Sequence, residues 1–442
     1  MNKTRSTTEQ LNNLIEFRQA IYAECLTGYR DTQFELMESL LSNPRVNSYA
    51  ELSLLPVFQR QWPSVYTAIR AGRQDRAAVA RLLHHQLPRG GIRVLAVDTT
   101  VWPHPSARTL AGQVYEHSPT LSKGRHVAVK GHVFSSLCWL PVRGGSWALP
   151  LDTHRLDPAE TAVELARRQI ETYRRQRSLL TAGELDIVTG DGKYGNHHFL
   201  QSFVDQPGLA AVVRLRGDRV LYFSPGPYPG RGRPRKHGRR FVFKNPATWP
   251  TPTASVTFTD DRWGEVRLRA WSRLHARQDS ATVMLVIRAE VQRQRTRRPL
   301  AVWLAYVGPA QVDIATIWRA FDQRWSIEPH FRFRKQRLNW TLPLFQQVQR
   351  TDRWTTLVDL SYWQLYLART GILDQPLPWQ KAMAVPTPGR VLQGFAWLFG
   401  RLPTQTCPVQ TRGKPPGWPK GRRRKRPKRH KTVRRGRKAA AK

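Results

Sequence analysis

Three stretches of the sequence carry residue types that could do chemistry. "IRVLAVDTT" sets Asp98 after an apolar run, and "LDIVTGDGKYGNHHFL" sets Asp191 after another. In "FDQRWSIEPHFRFRKQ", Phe321, Arg324, Glu328 and Lys335 are spaced by three, four and seven residues, which puts all four on one face of a helix. Taken singly, Asp98 and Asp191 each read first as a turn residue. Two strand-end acids in one sheet, with a third acid on a following helix, fit a different chemistry. Hard carboxylate oxygens of this kind can converge on a pair of Mg²⁺ ions while phosphate and water complete the coordination.

The second stretch also fits a nucleotide motif. Gly190, Gly192 and Gly195 match G-x-G-x-x-G, the turn that brings a pyrophosphate to a helix N-terminus. A dinucleotide fold wants an acid at the end of the next strand, yet "LAAVVRLR" ends in Arg214 and Arg216, which would suit only a 2′-phosphate. The elements before it read as hairpins instead of the start of a βαβ unit. The glycines are better read as letting the backbone bend, so that Asp191 faces a metal and a polyanion can approach closely.

Charge points to that polyanion. The 442 residues hold 72 Lys plus Arg against 31 Asp plus Glu, a net +41. Residues 411–442 contribute 16 Lys or Arg and no acid, which leaves +25 for the rest of the chain. A nucleic acid is the natural partner, bound with strong salt dependence. A membrane is not expected, because there is no run of about 18 apolar residues and no amphipathic anchor at either end. Cys25, Cys138 and Cys407 are far apart and lack zinc spacing, so no structural zinc and a reducing compartment are expected. The opening "MNKTRSTTEQLNNLIEFRQ" lacks a signal-type apolar core, which makes the expected location cytoplasmic.

The elements that must position the acids follow from periodicity. Residues 1–90 read as a helical N-terminal domain, a DNA-binding candidate. From residue 92 short apolar runs replace the helical spacing, giving strands over 91–216 with one helix, "DPAETAVELARRQIETYRRQ", for which Asp157 and Pro158 serve as cap and first position. Residues 217–299 read as a β-rich insertion and 300–345 as the completion of the core, with one long helix carrying Glu328. A helical region follows over 346–400, then a basic tail over 401–442 that is expected to be disordered when free. The fold class is therefore α/β in the broad sense, an α+β mixed sheet. Inside the insertion, "GRGRPRKHGRR" resembles an AT-hook, whose arginines enter a narrow A·T minor groove. Arg231, Arg233 and Arg235 are the contacts on that reading, and a solvated basic loop is the alternative.

The helix pattern resembles a family signature. Insertion-sequence transposases with a DDE triad on a ribonuclease H-like fold include a group with Tyr, Arg, Glu and Lys separated by two, three and six residues. Phe321, Arg324, Glu328 and Lys335 repeat those separations. The resemblance runs from about residue 92 to 340. It implies a ribonuclease H-like catalytic core interrupted by a β-rich insertion, with Asp98, Asp191 and Glu328 as catalytic, metal-holding acids. It implies that Arg324 and Lys335 contact phosphates, with Phe321 in the tyrosine's place, and that Trp303 in "VWLAYVG" stacks on a flipped base, for which core packing is the alternative. Mg²⁺ is the implied cofactor, with Mn²⁺ as a substitute. Double-stranded DNA, as terminal inverted repeats and target, is the implied partner of a homodimer at the bacterial nucleoid. The reaction would be two-metal hydrolysis at the element's ends, followed by strand transfer.

Two positions depart from the signature. Phe321 lacks the tyrosine hydroxyl, and Pro329 directly follows Glu328, so the helix is expected to kink or restart there. They keep open a rival reading, a non-catalytic architectural DNA-binding protein derived from an inactivated transposase. A ribonuclease acting on RNA or hybrids is a third, opposed by the insertion and by the Arg-Glu-Lys face.

Overall fold

In the computed structural model, which describes residues 7–43, 45–117, 128–177, 183–228, 230–291, 300–383, 385–410, 421, 428–430 and 432–434, the change from helix to strand falls at residue 92. Before it come α1 (Thr7–Ala20), a π-helical turn (Ile21–Cys25), β1 (Leu26–Gly28), α2 (Arg30–Leu41), α3 (Pro63–Ala71), β2 (Arg73–Gln74) and α4 (Arg76–His85). β1 and β2 form a small antiparallel pair. The strand-rich part then runs through β3 (Ile92–Pro103), β4 (Val114–His117), β5 (Ala128–Leu140), β6 (Leu149–Arg155), α5 (Ala162–Gln176), β7 (Leu185–Gly190), α6 (His197–Leu200) and β8 (Leu209–Leu215). The β-rich segment supplies β9 (Val220–Phe223), β10 (Arg240–Val242), β11 (Ala254–Asp260), β12 (Gly264–Ala276) and β13 (Asp279–Val291). The chain closes with β14 (Leu300–Val307), α7 (Ile314–Gln323), α8 (Ile327–Gln336), α9 (Val348–Ala368), α10 (Pro388–Phe395) and β15 (Val433–Arg434).

Among the described residues, β3 to β15 form one 13-stranded mixed sheet. Its centre is the parallel trio β3, β7 and β8, flanked on one side by antiparallel β5 and on the other by antiparallel β14. Parallel strands must be covered on both faces, and β7 is buried along nearly its whole length, Ile187 and Val188 fully. The β-rich segment is not a separate layer. β14 joins β13 and β12 directly to β8, so the segment continues the core sheet.

From Trp354 onward α9 is buried on nearly every face, its polar Thr355, Asp359, Ser361 and Gln364 included. Trp354, Leu357, Val358, Tyr362 and Trp363 are fully buried, and the helix packs against α1, α2, α10 and β6. The N-terminal helices therefore share a core with the C-terminal ones.

Three local expectations are corrected. α5 begins later than Asp157 and Pro158: Thr161 is its cap, joined to Glu164 in a reciprocal capping box. The signal was T-x-x-E, which satisfies two orphan N–H groups where Asp157 could satisfy one. Replacing Thr161 by Ala should cost about 1 kcal/mol, read from chemical denaturation. Second, Asp98 does not end its strand, since β3 continues to Pro103 through pairing with β5. Third, the long helix carrying Glu328 is broken by a 3₁₀ turn over Arg324–Ser326, and α8 restarts at Ile327. Pro329 thus falls in the first turn, where a missing N–H costs nothing. Most of the basic tail lies outside the described residues.

Candidate active site

The two aspartates come together because of where the parallel ladder stops. β3 and β7 pair from Ile92↔Leu185 to Ala96↔Thr189, and Asp98 and Asp191 each lie two residues beyond the last pair. This is the carboxyl end of the parallel strands, where open α/β sheets place their ligands. Asp98 is 8 % exposed. Its Oδ1 accepts from the Thr99 N–H at 2.7 Å, and its Oδ2 accepts from Arg324 Nη1 at 3.2 Å. Asp191 sits in a turn closed by the Lys193 N–H on its Oδ1 at 2.9 Å.

Glu328 reaches the same place from α8. Its Oε1 lies 3.9 Å from Arg324 Nη1, so one guanidinium nitrogen faces both Glu328 and Asp98. Lys335, two turns further, donates to Thr100 Oγ1 at 2.6 Å. The helix break that aims these groups is tied down from the β5–β6 connection: Gln323 Nε2 donates to the Leu140 carbonyl at 2.6 Å and Ser326 Oγ to the Gly145 carbonyl at 2.7 Å. The β-rich segment braces it from the other side. Arg143 bridges Asp260 and Asp322 at 2.7 and 2.8 Å, and Trp263 Nε1 donates to Asp322 at 2.7 Å.

The electrostatics are those of crowded acids. Burial, then the charge of Asp191, pushes the Asp98 carboxyl up to about 7, against the pull of Arg324. Tyr194, fully buried beside them, is raised well above its ordinary value by burial and then by Asp98 and Asp191. Burial brings Lys335 down to about 8, with Arg334 adding to the fall. A depressed lysine disfavours the folded state while charged, and that cost fades as pH rises from the folded value toward its unfolded one. Lys335→Met should therefore raise the melting temperature at neutral pH, with the gain shrinking toward about pH 10. Thermal denaturation across that range checks it.

A hard divalent cation suits this donor set, because all three acids present carboxylate oxygen and Asp98 is held against the charge of the other two. Among the described residues no three His, Cys, Asp or Glu side chains are grouped closely enough to hold a metal ion. The Arg324 guanidinium stands between Asp98 and Glu328 and supplies the positive charge there.

The other expected residues lie elsewhere. Phe321 packs on the apolar cluster beneath α7, 6.4 Å from Trp318. Trp303 is 7 % exposed, with the Phe243 ring stacked on it at 4.2 Å and Trp271 and Trp249 around it. Arg231, Arg233 and Arg235 are exposed on the loop between β9 and β10, bent by Gly230 and Gly232 at positive φ. Of the three glycines in the nucleotide-like motif, Gly195 has a plain packing reason: a Cβ there would stand 2.3 Å from the Arg214 carbonyl. The helix after it, α6, is only four residues long, too short for a pyrophosphate seat.

One cation of the site went unnoticed in the sequence. Lys193 Nζ donates to Thr99 Oγ1 at 2.7 Å and to Glu116 at 3.2 Å, beside both aspartates. Its place two residues after Asp191, inside an Asx turn, was the available signal.

No helix among the described residues is long and apolar enough to cross a membrane. The sequence matches the family model of the DDE superfamily endonuclease over residues 22–277, more than half of the chain. That span includes Asp98 and Asp191 and ends before Glu328. No curated protein matches it.

Proposed function

The chain belongs to the DDE superfamily endonucleases, and from that premise we propose that it is a DNA transposase that cuts and joins the ends of its own insertion sequence. A transposase or nuclease type of activity follows from the family, whose members generally use divalent metals. The observation that carries the finer reading is one Arg324 guanidinium nitrogen facing both Asp98 and Glu328, with the charge of Asp191 acting on Asp98, at the carboxyl ends of β3 and β7.

On this reading Asp98, Asp191 and Glu328 would hold Mg²⁺ or Mn²⁺, and the bound metal would supply positive charge for phosphodiester cleavage. Arg324 turns from the acids to a phosphate when DNA arrives, and its guanidinium can grip two phosphate oxygens at once. Lys335 regains its proton affinity beside a phosphate, because an anion offsets the burial that depresses it. Lys193 holds the Asp191 turn against Thr99. The net charge of +41 supplies salt-dependent affinity for double-stranded DNA. Two DNA ends must be held at once, so a homodimer on DNA is part of the proposal. Arg231, Arg233 and Arg235 would enter an A·T-rich minor groove.

The test is incubation of a plasmid carrying the gene and its native flanks with Mg²⁺ or Mn²⁺ and either wild type or Asp191→Asn. Breaks at the element's ends that need both metal and Asp191 support the proposal. Tight binding of the ends by wild type without any cleavage would sink it in favour of a non-catalytic DNA-binding protein. The Arg324 charge between Asp98 and Glu328 is the observation on that rival's side.

A further inference from the structure

The sheet edge beside the acids is met by the chain's own C-terminal segment. β15 pairs in parallel with β4, Val433 against Val114 and Arg434 against Tyr115. The His430 N–H donates to the Arg108 carbonyl at 3.0 Å. β4 leads straight to the candidate site: Glu116, one residue past Tyr115, holds the Lys193 ammonium that also donates to Thr99, next to Asp98.

This pairing works against charge. Lys428 and Arg429 are exposed immediately before His430, and the pairing brings them to a segment that already carries Arg108 and Lys130, whose Nζ donates to the Ala107 carbonyl at 2.7 Å. The whole of residues 411–442 contains no acid to offset this. A strand edge gains backbone hydrogen bonds by accepting another strand, but a two-residue ladder contributes little. Cations gathered from two distant segments at one edge are stabilised when a polyanion runs between them.

We propose that the β4 edge is a docking site for the C-terminal segment in the same chain, and that docking places Lys428 and Arg429 along the DNA strand that enters between Asp98 and Glu328. The tail is then a second DNA-binding element, positioned by strand addition. The choice of DNA rests on the transposase reading, and the test uses binding instead of cleavage, so the two can fail separately.

Val433→Pro removes a backbone N–H and strains the ladder while keeping every charge. Equilibrium binding of a duplex of about 30 base pairs, measured against salt, should show about a tenfold loss of affinity and a shallower slope of log K on log salt. Unchanged affinity and slope would mean that tail charge acts wherever it lies, and higher affinity would mean that the tail blocks the DNA path; either overturns the proposal. A second measurement guards against a merely weakened fold. Val114→Cys with Val433→Cys, in a Cys407→Ser background, should oxidise to a disulfide within one chain and retain wild-type affinity. No disulfide, a disulfide only between chains, or lost affinity in the locked form would each overturn it. Wild type that binds normally but never cuts counts against the transposase reading alone.

Discussion

Asp98→Asn is expected to lower metal-dependent DNA cleavage by about a thousandfold or more, and to raise the melting temperature of the metal-free protein near pH 7.5. The two effects have one cause. The carboxyl is buried and faces the charge of Asp191, which pushes it up to about 7 from an ordinary 3.8. An acid raised in the folded state stabilises fully below its unfolded value, and that contribution is lost as pH climbs through the folded one. Between about pH 4 and 7 the wild type therefore loses stability that the neutral amide does not lose. Three units correspond to about 4 kcal/mol as an upper bound, since Arg324 loses its partner in the variant. Cleavage assays and thermal denaturation at about pH 4.5 and 7.5 read both effects. If the variant is less stable than wild type at both pH values, Asp98 serves mainly as the anchor of Arg324, and its role with metal is wrong.

The second large effect concerns what holds α8. Arg334 is fully buried next to Lys335, with its guanidinium 4.1 Å from the Trp340 ring centre and 2.5 Å from Asp359 on α9. The two oppose each other closely without the alignment of a hydrogen bond, and Asp359 Oδ1 has no hydrogen-bond partner. Burial raises Asp359 to about 6 even against Arg334, so desolvation outweighs the attraction here. Removing one partner leaves a bare buried charge. Asp359→Ala should cost about 3–5 kcal/mol in chemical denaturation, whereas Asp359→Leu with Arg334→Met should recover most of it. A single variant within about 1 kcal/mol of wild type would mean that water reaches Arg334 and that the pair does not support α8.

How much of this was legible depended on distance along the chain. The T-x-x-E cap of α5 and the helical spacing of Arg324, Glu328 and Lys335 are local patterns, readable once the right template is applied. The break over Arg324–Ser326 was half legible: Pro329 announced an interruption, but its place is set by Gln323 and Ser326 reaching carbonyls of the β5–β6 connection. The extension of β3 past Asp98 was not legible, because "TTVWP" is carried as strand by its partner β5 and by no alternation of its own. Trp303 shows the limit from the other side. A tryptophan in "VWLAYVG" reads the same whether its face meets a base or the ring of Phe243, and only packing separates the two.

The sequence by itself determined the polyanion-seeking charge, the mixed α and β content, the acids at the ends of apolar runs and the shared helical face of Glu328 and Lys335. Those are properties of composition and short-range periodicity, which the backbone geometry of helix and strand makes visible. Only the tertiary structure decided that Arg324 stands between Asp98 and Glu328, that Lys193 joins them, that the β-rich strands continue the core sheet and that the C-terminal segment returns to β4. Arg324 and Asp98 are 226 positions apart in the chain. Contacts of that range follow from sheet order and strand register, which are set by the packing of the whole core and leave no local periodicity to read.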